Sequence, residues 1–161
     1  MADAPATRLP LRHPAMFVAT LAGVGLLPRA PGTWGSLVAV PFAWIIARGG
    51  GGAALLAATA ALFLLGWWAA AVAVPSLGHD PPAVVVDEAV GQWLTLAAAP
   101  LDPLFYLAGF ALFRVFDVWK PWPIGWADRR IGGGFGIMFD DVLAALYAAV
   151  VLLIARSLLG R

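Results

Sequence analysis

A chain of 161 residues that is 62% apolar has the length of one domain, and its 12% charged content is half the roughly 25% of an ordinary soluble one. A net charge of +1 removes any general electrostatic case for nucleic acid. With no cysteine, disulfides, thiolate metal sites and a cysteine nucleophile are excluded.

Residues 1–12, rich in Pro and Ala, read as a flexible N-terminal arm, and residues 13–161 as a single helical domain. Arg8 and Arg12 ahead of the apolar run Ala15–Leu27 mimic a short signal peptide. Pro28, Arg29 and Pro31 follow at once without a small-x-small cleavage site, so the segment is expected to be retained. A short apolar helix is expected over Pro14–Ala22. Gly23–Ser36 is dense in turn formers, and Thr33 or Ser36 can cap a helix running to about Ala47. Four glycines, 49–52, form a hinge. The uncharged stretch Ala53–Val74 spans the roughly 30 Å hydrocarbon core at about 1.5 Å per residue, and Pro75 is expected to stop it.

Residues 75–83 read as a polar turn. A helix from about Val84 carries Asp87 and Glu88 in its early turns and is broken by Pro100 and Pro103. Leu104–Lys120 is the next helix, ended by Pro121 and Pro123, because a residue before proline avoids the helical region. Gly132–Gly136 reads as a flexible loop and Asp140–Leu159 as the last helix, whose uncharged part, Val142–Ala155, is short for a full span. Val84–Val86 has strand character, but a strand in lipid needs partners for its backbone. The expected fold is all-α: a compact, membrane-associated bundle of about six helices with at least one transmembrane helix. Arg8, Arg12, Arg29 and Arg48 suit a cytoplasmic N-terminal half.

Charge is concentrated where function is expected. Eight of the nineteen charged residues fall within 114–141, and charges beside apolar helices are functional-site candidates. Five acids stand out: Asp87, Glu88, Asp117, Asp140 and Asp141. Neighbours on a helix point about 100° apart, so neither adjacent pair chelates alone, but each can offer one acid to a site and one to a partner. Gly91 and Ala145, one turn on from Asp87 and Asp141, let another helix approach. Clustered carboxylates need neutralising. Hard cations such as Mg²⁺, Mn²⁺ or Ca²⁺ can do this with oxygen ligands, and so can salt bridges to Arg114, Lys120, Arg129 and Arg130.

Arg114 and Lys120 lie on roughly one side of their helix. They suit either a phosphate, through a guanidinium fork and an ammonium point charge, or snorkelling to an interface. The Arg29–Ser36 loop and Gly132–Gly136 each read as an anion cradle or as a plain turn. Trp34, Trp119, Trp122 and Trp126 flank the charged loops, which places them at headgroup depth and points to a lipid headgroup. Ser76-Leu-Gly78-His79 is a fragment of a histidine phosphatase motif, but the only other histidine is His13. No Walker loop is present, and a Ser-His-Asp triad is unsupported.

Taken in order, the motifs resemble the bacterial phosphatidylglycerophosphatase A family. The blocks are Gly23-x-Gly25-x2-Pro28-x2-Pro31-Gly32-Thr33-x-Gly35-Ser36-Leu37, Val86-Asp87-Glu88-x-Val90-Gly91, Leu112-Phe113-Arg114-x2-Asp117-x-Trp119-Lys120-Pro121-x-Pro123-Ile124 and Gly133-x2-Gly136-Ile137-Met138-x-Asp140-Asp141. One departure is Ala144-Ala145, where the family usually has Ala-Gly. The resemblance implies a Mg²⁺-dependent phosphatase at the cytoplasmic face of the bacterial inner membrane, converting phosphatidylglycerophosphate to phosphatidylglycerol. On this chain it implies one catalytic, metal-holding site of Asp87, Glu88, Asp117, Asp140 and Asp141. Arg114 and Lys120 would bind the phosphate, helped by Arg29, Thr33 and Ser36. Attack on phosphorus falls to a water or to an aspartate, and the residues do not choose. The expected partners are the phospholipid substrate and the bilayer. The competing expectation is a small ion-conducting or transport protein, whose acids would face one another at the bilayer midplane on long helices.

Overall fold

The computed structural model describes residues 9–77 and 81–160. Arg8 with most of the expected arm, and the part of the polar turn holding Gly78, His79 and Asp80, lie outside the described residues. In chain order the elements are α1 (Pro14–Ala19), a 3₁₀ turn (Val24–Leu26), α2 (Pro31–Leu77), α3 (Val86–Ala97), α4 (Pro103–Trp119), α5 (Ile124–Arg130) and α6 (Gly133–Leu158). The described residues hold six α-helices and no strand. Val85 spends its amide on Ala19 O at 2.8 Å, immediately before α3 begins.

Several boundaries differ from expectation, each for a local reason. α1 stops at Ala19 because Leu21 and Ala22 turn left-handed, with φ of 47° and 56°. α2 starts at Pro31, where proline's fixed φ and missing N–H cost nothing, so Thr33 and Ser36 lie inside the helix rather than capping it. Pro75 does not stop α2, which runs on to Leu77. A proline removes one ladder hydrogen bond, and the adjacent Ser76 Oγ donates to Ala73 O at 2.8 Å. Pro121 and Pro123 do end α4, but Pro123 is also the N-cap of α5, a helix the sequence reading passes over as loop. The glycines at 133–136 are the first turn of α6, which lengthens it to 26 residues.

The expected hinge is real. Gly51 has φ 68° and ψ −169°, which breaks α2 into two arms, 31–50 and 52–77. Gly35 of the first arm packs on Val85, and Gly66 of the second packs on Val86 and Met138. At the other end Gly52 approaches the backbone of Ala97. Two positions about fifteen residues either side of Gly51 thus meet the start of α3, while the hinge meets its end. α2 is a helical hairpin whose arms embrace α3.

Small side chains let the remaining helices close on this hairpin. Ala69, Ala70 and Ala73 of α2 bury with Val86, Val90 and Met138. Ala144, Ala145 and Ala148 of α6 bury with Phe113 and Ile124. The extra methyl at Ala145 is fully buried in this second cluster, so the departure from the family pattern is absorbed by packing. α2 and α6 are both long and apolar enough to cross a membrane. Their outer faces leave Ile45, Leu64 and Ile154 more than half exposed, the surface of a membrane-associated bundle rather than a soluble one.

Candidate active site

All five acids line one cavity of about 920 Å³, together with Arg114, Lys120 and Thr33. It opens at the end of the bundle away from Gly51. Glu88 is the third residue of α3, and a methyl on Gly32, the second residue of α2, would collide with its carboxylate. Asp117 is the third residue from the end of α4. Asp140 and Asp141 enter from the third turn of α6, further from a helix end than expected, because the glycine segment is helical. Trp34, Trp119, Trp122 and Trp126 around this end are all exposed, as interfacial tryptophans are.

Within the cavity the acids divide into three groups. Glu88, Asp117 and Asp141 each bring a carboxylate oxygen to within 4.8 Å of the others, from α3, α4 and α6. Arg114 pairs with Glu88 and, at 3.0 Å, with Asp117. Asp141 Oδ2 is buried and has no hydrogen-bond partner. Asp140 instead holds Lys120 Nζ at 2.6 Å, and Asp128 holds the same ammonium at 2.7 Å. Asp87 turns back on its own helix, where its Oδ1 accepts from the Glu88 amide at 3.0 Å.

The salt-bridge reading therefore holds for Glu88, Asp117 and Asp140, but gives no cation to Asp87 or Asp141. Burial and the nearby Asp117 raise the Glu88 carboxyl to about 7, against the opposing pull of Arg114 and the Ser36 hydroxyl. Burial and the Glu88 charge push Asp87 well above its ordinary value. Clustered carboxylates with a buried, unpartnered oxygen on Asp141 have the donor chemistry of a cation site: hard oxygens, at least one of them orphaned.

Lys120 is built into position. It is the C-cap of α4 in a left-handed conformation, φ 46° and ψ 57°, rare for a side-chain-bearing residue and typical of sites where strain is retained. Burial works against its charge, but the hydrogen bonds to Asp128 and Asp140 outweigh it and raise its pKa, so it stays a cation.

The predicted phosphate helpers separate. Thr33 lines the cavity; Arg29 is exposed and does not. Ser36 is fully buried behind the wall, its one hydroxyl proton shared between Gly32 O at 3.1 Å and Glu88 Oε2 at 3.2 Å while its oxygen accepts from Arg114 at 3.3 Å. It braces the acid and the guanidinium rather than reaching a ligand. Two lining residues escape the sequence reading in this role: Asp128, which shares Lys120, and Arg129 beside it. Both sit on α5, and two basic residues closing that short helix were the only signal. Gln92, one turn after Glu88, is fully buried with neither amide atom hydrogen-bonded.

Comparisons with known proteins converge on one family. The family described as Phosphatidylglycerophosphatase A matches residues 17–156. The Phosphatidylglycerophosphatase A of Escherichia coli is 38% identical, over 93% of this chain and 88% of that protein. Its counterpart of the same name from Haemophilus influenzae is 43% identical, over 91% of each. A Putative phosphatidylinositol-3-phosphatase from Bacteroides thetaiotaomicron is 41% identical, over 90% of this chain and 95% of that one. No solved structure matches.

Proposed function

The chain belongs to the phosphatidylglycerophosphatase A family, and from that membership we propose that it is a Mg²⁺-dependent phosphatase releasing the terminal phosphate of phosphatidylglycerophosphate. The proposed setting is the cytoplasmic face of the bacterial inner membrane. The observation that carries the reading is one cavity, at the end of two membrane-length helices, in which buried and half-buried carboxylates of three helices meet beside a fixed lysine. A phosphomonoester dianion needs cationic partners, and a lipid one needs them at headgroup depth.

Glu88, Asp117 and Asp141 would hold the ion, with Asp87 and Asp140 at the edges of the set. Bound there, Mg²⁺ would supply neutralisation of the charge on the phosphoryl oxygens. Lys120, which lines the same cavity, would offer its ammonium to the phosphate, held in place by Asp128 and Asp140. Arg114 and Arg129 add positive charge to the cavity from α4 and α5, and Thr33 with the start of α2 forms another part of its wall. This arrangement orients the phosphate and stabilises its charge, the main demand of phosphoryl transfer. Capture of a phosphoenzyme would assign the attack to an aspartate rather than to water. The transport alternative is disfavoured because the acids gather at one end of the bundle rather than midway along its helices.

Two measurements test this. Purified protein in detergent releases inorganic phosphate from phosphatidylglycerophosphate with added Mg²⁺, stops in EDTA, and recovers when Mg²⁺ is restored. Phosphate release that EDTA leaves intact removes the metal from the proposal, and no release removes the substrate. The second test follows from Glu88. A carboxyl raised to about 7 is largely protonated below that pH, and only its ionised form binds a cation. Mg²⁺ binding therefore releases protons, and apparent affinity falls by up to about tenfold per unit as pH drops below 7. Calorimetry in buffers of different ionisation enthalpy detects the released protons; identical heats in every buffer would contradict it.

A further inference from the structure

A second cavity, of about 400 Å³ and almost wholly apolar, lies between the first arm of α2 and α4. Its α2 wall includes Leu37, Val40 and Trp44, which follow Thr33 by four, seven and eleven residues. Its α4 wall includes Phe110, Leu107 and Pro103, which precede Arg114 by the same four, seven and eleven. Such offsets keep to one face of a helix. Thr33 and Arg114 themselves line the polar cavity. The groove is thus the continuation, on the same two helix faces, of the seam that carries the proposed site. The two parts join at the Ser36–Arg114 hydrogen bond, and the edge-to-face contact of Trp44 with Tyr106 marks the far end.

From Leu37 to Trp44 the groove runs about 10 Å toward the hinge, at about 1.5 Å per residue. Neither helix carries a charge along it. Packing leaves it open: Leu107 is 64% exposed and Leu37 45%. A polar cavity that sets Arg114, Lys120 and Arg129 among its acids, joined in register to an uncharged trough, matches a molecule with a phosphate at one end and hydrocarbon at the other. A second copy of this chain would have no reason to seat itself from Arg114 downward. We infer that this groove receives one acyl chain of the lipid whose phosphate enters the polar cavity. The inference rests on the lipid-phosphatase reading above and adds where the substrate's hydrocarbon lies.

The test compares phosphatidylglycerophosphate bearing palmitoyl chains with the same headgroup bearing butanoyl chains, in mixed micelles. Leu107→Trp and Leu37→Trp fill the groove from exposed positions. Each lowers the long-chain to short-chain ratio of kcat/KM at least about tenfold, the equivalent of about two methylenes denied burial. Ile154→Trp, on an exposed face of α6 away from the groove, keeps the wild-type ratio. Wild-type protein that cleaves both lipids, with groove variants that keep the ratio, overturns the groove assignment alone. Wild-type protein that cleaves neither overturns the phosphatase reading and the groove with it. Equal losses on both lipids, accompanied by a change from dimer to monomer, overturn the inference by giving the groove to a second copy.

Discussion

Asp141→Asn lowers phosphate release at least about 100-fold, beyond the 10–100-fold scale on which even the outer partners of metal ligands act. The side chain comes from α6 to meet Glu88 of α3 and Asp117 of α4, and its Oδ2 is the carboxylate oxygen of that trio left buried with no partner. Asn keeps the size and removes the charge. A buried, uncompensated carboxylate is a liability in the metal-free protein, so the variant melts at or above the wild-type temperature in EDTA. Mg²⁺ acts in the opposite direction. Wild-type protein gains stability as the ion binds, by about 2.7 kcal/mol at one hundred times its dissociation constant, and the variant loses most of that gain. Differential scanning in EDTA and in Mg²⁺, beside the activity assay, separates a metal ligand from a structural acid. A folded Asp141→Asn protein with full activity and an undiminished Mg²⁺ response ends the proposal for this residue.

Gly134→Ala unfolds the protein or destabilises it by about 3 kcal/mol or more, the upper range for an overpacked core. A Cβ at Gly134 stands 2.7 Å from Ala71 Cα and 2.9 Å from Ala70 C, and collides with the Ala71 amide. These are backbone atoms of the second arm of α2, which no rotamer change can move aside. α6 must back away from α2, taking Asp140 and Asp141 with it, so the fraction that still folds also loses activity. The neighbouring Gly132→Ala meets nothing within 4 Å and has an ordinary φ of −94°. It stays within about 1 kcal/mol of wild type. Thermal melts of the two variants in detergent decide the matter: a Gly134→Ala protein as stable as Gly132→Ala would mean that α2 and α6 do not approach this closely.

These two glycines show where sequence reading stops. In the run Gly132-Gly133-Gly134 they look alike, and glycine's low helix propensity argues for a flexible loop. The structure makes Gly134 and Gly136 part of α6, at positions where backbone leaves no room for a side chain, that of Ala71 at the first and of Ile131 at the second. Tertiary approach overrides propensity, and the same shift moves Asp140 and Asp141 two turns inside the helix. Gly91 was legible for the opposite reason. It lies one turn from Asp87 on a helix that was already expected, and the ring of Phe113 and the carbonyl of Asp141 do fill the space it leaves. The hinge at 49–52 was legible too, since four glycines between uncharged apolar runs have few other uses.

The charged residues divide along the same line. All five acids and both principal cations could be picked out because ionisable groups beside apolar helices are costly to keep, and the structure gathers all seven around one cavity. Their pairing could not be read. Ser36 was expected to meet phosphate through a helix N-terminus, but α2 starts five residues earlier, and the hydroxyl turns inward to Glu88 and Arg114. Asp128 was overlooked because α5 was overlooked, and it shares Lys120 with Asp140 across a gap of twelve residues.

The sequence by itself determined the class of fold, the family and the inventory of charged groups. Composition, helix breakers and local motifs are properties of short stretches, and short stretches are what a chain displays directly. The tertiary structure alone decided which acids converge, that one buried oxygen of Asp141 has no partner, that Lys120 is held between two carboxylates, and that the polar seam runs on as an apolar groove. Each of these depends on the rotation and approach of helices distant in the chain. Such rotations are set by backbone contacts at a few glycines and alanines, which local pattern does not display.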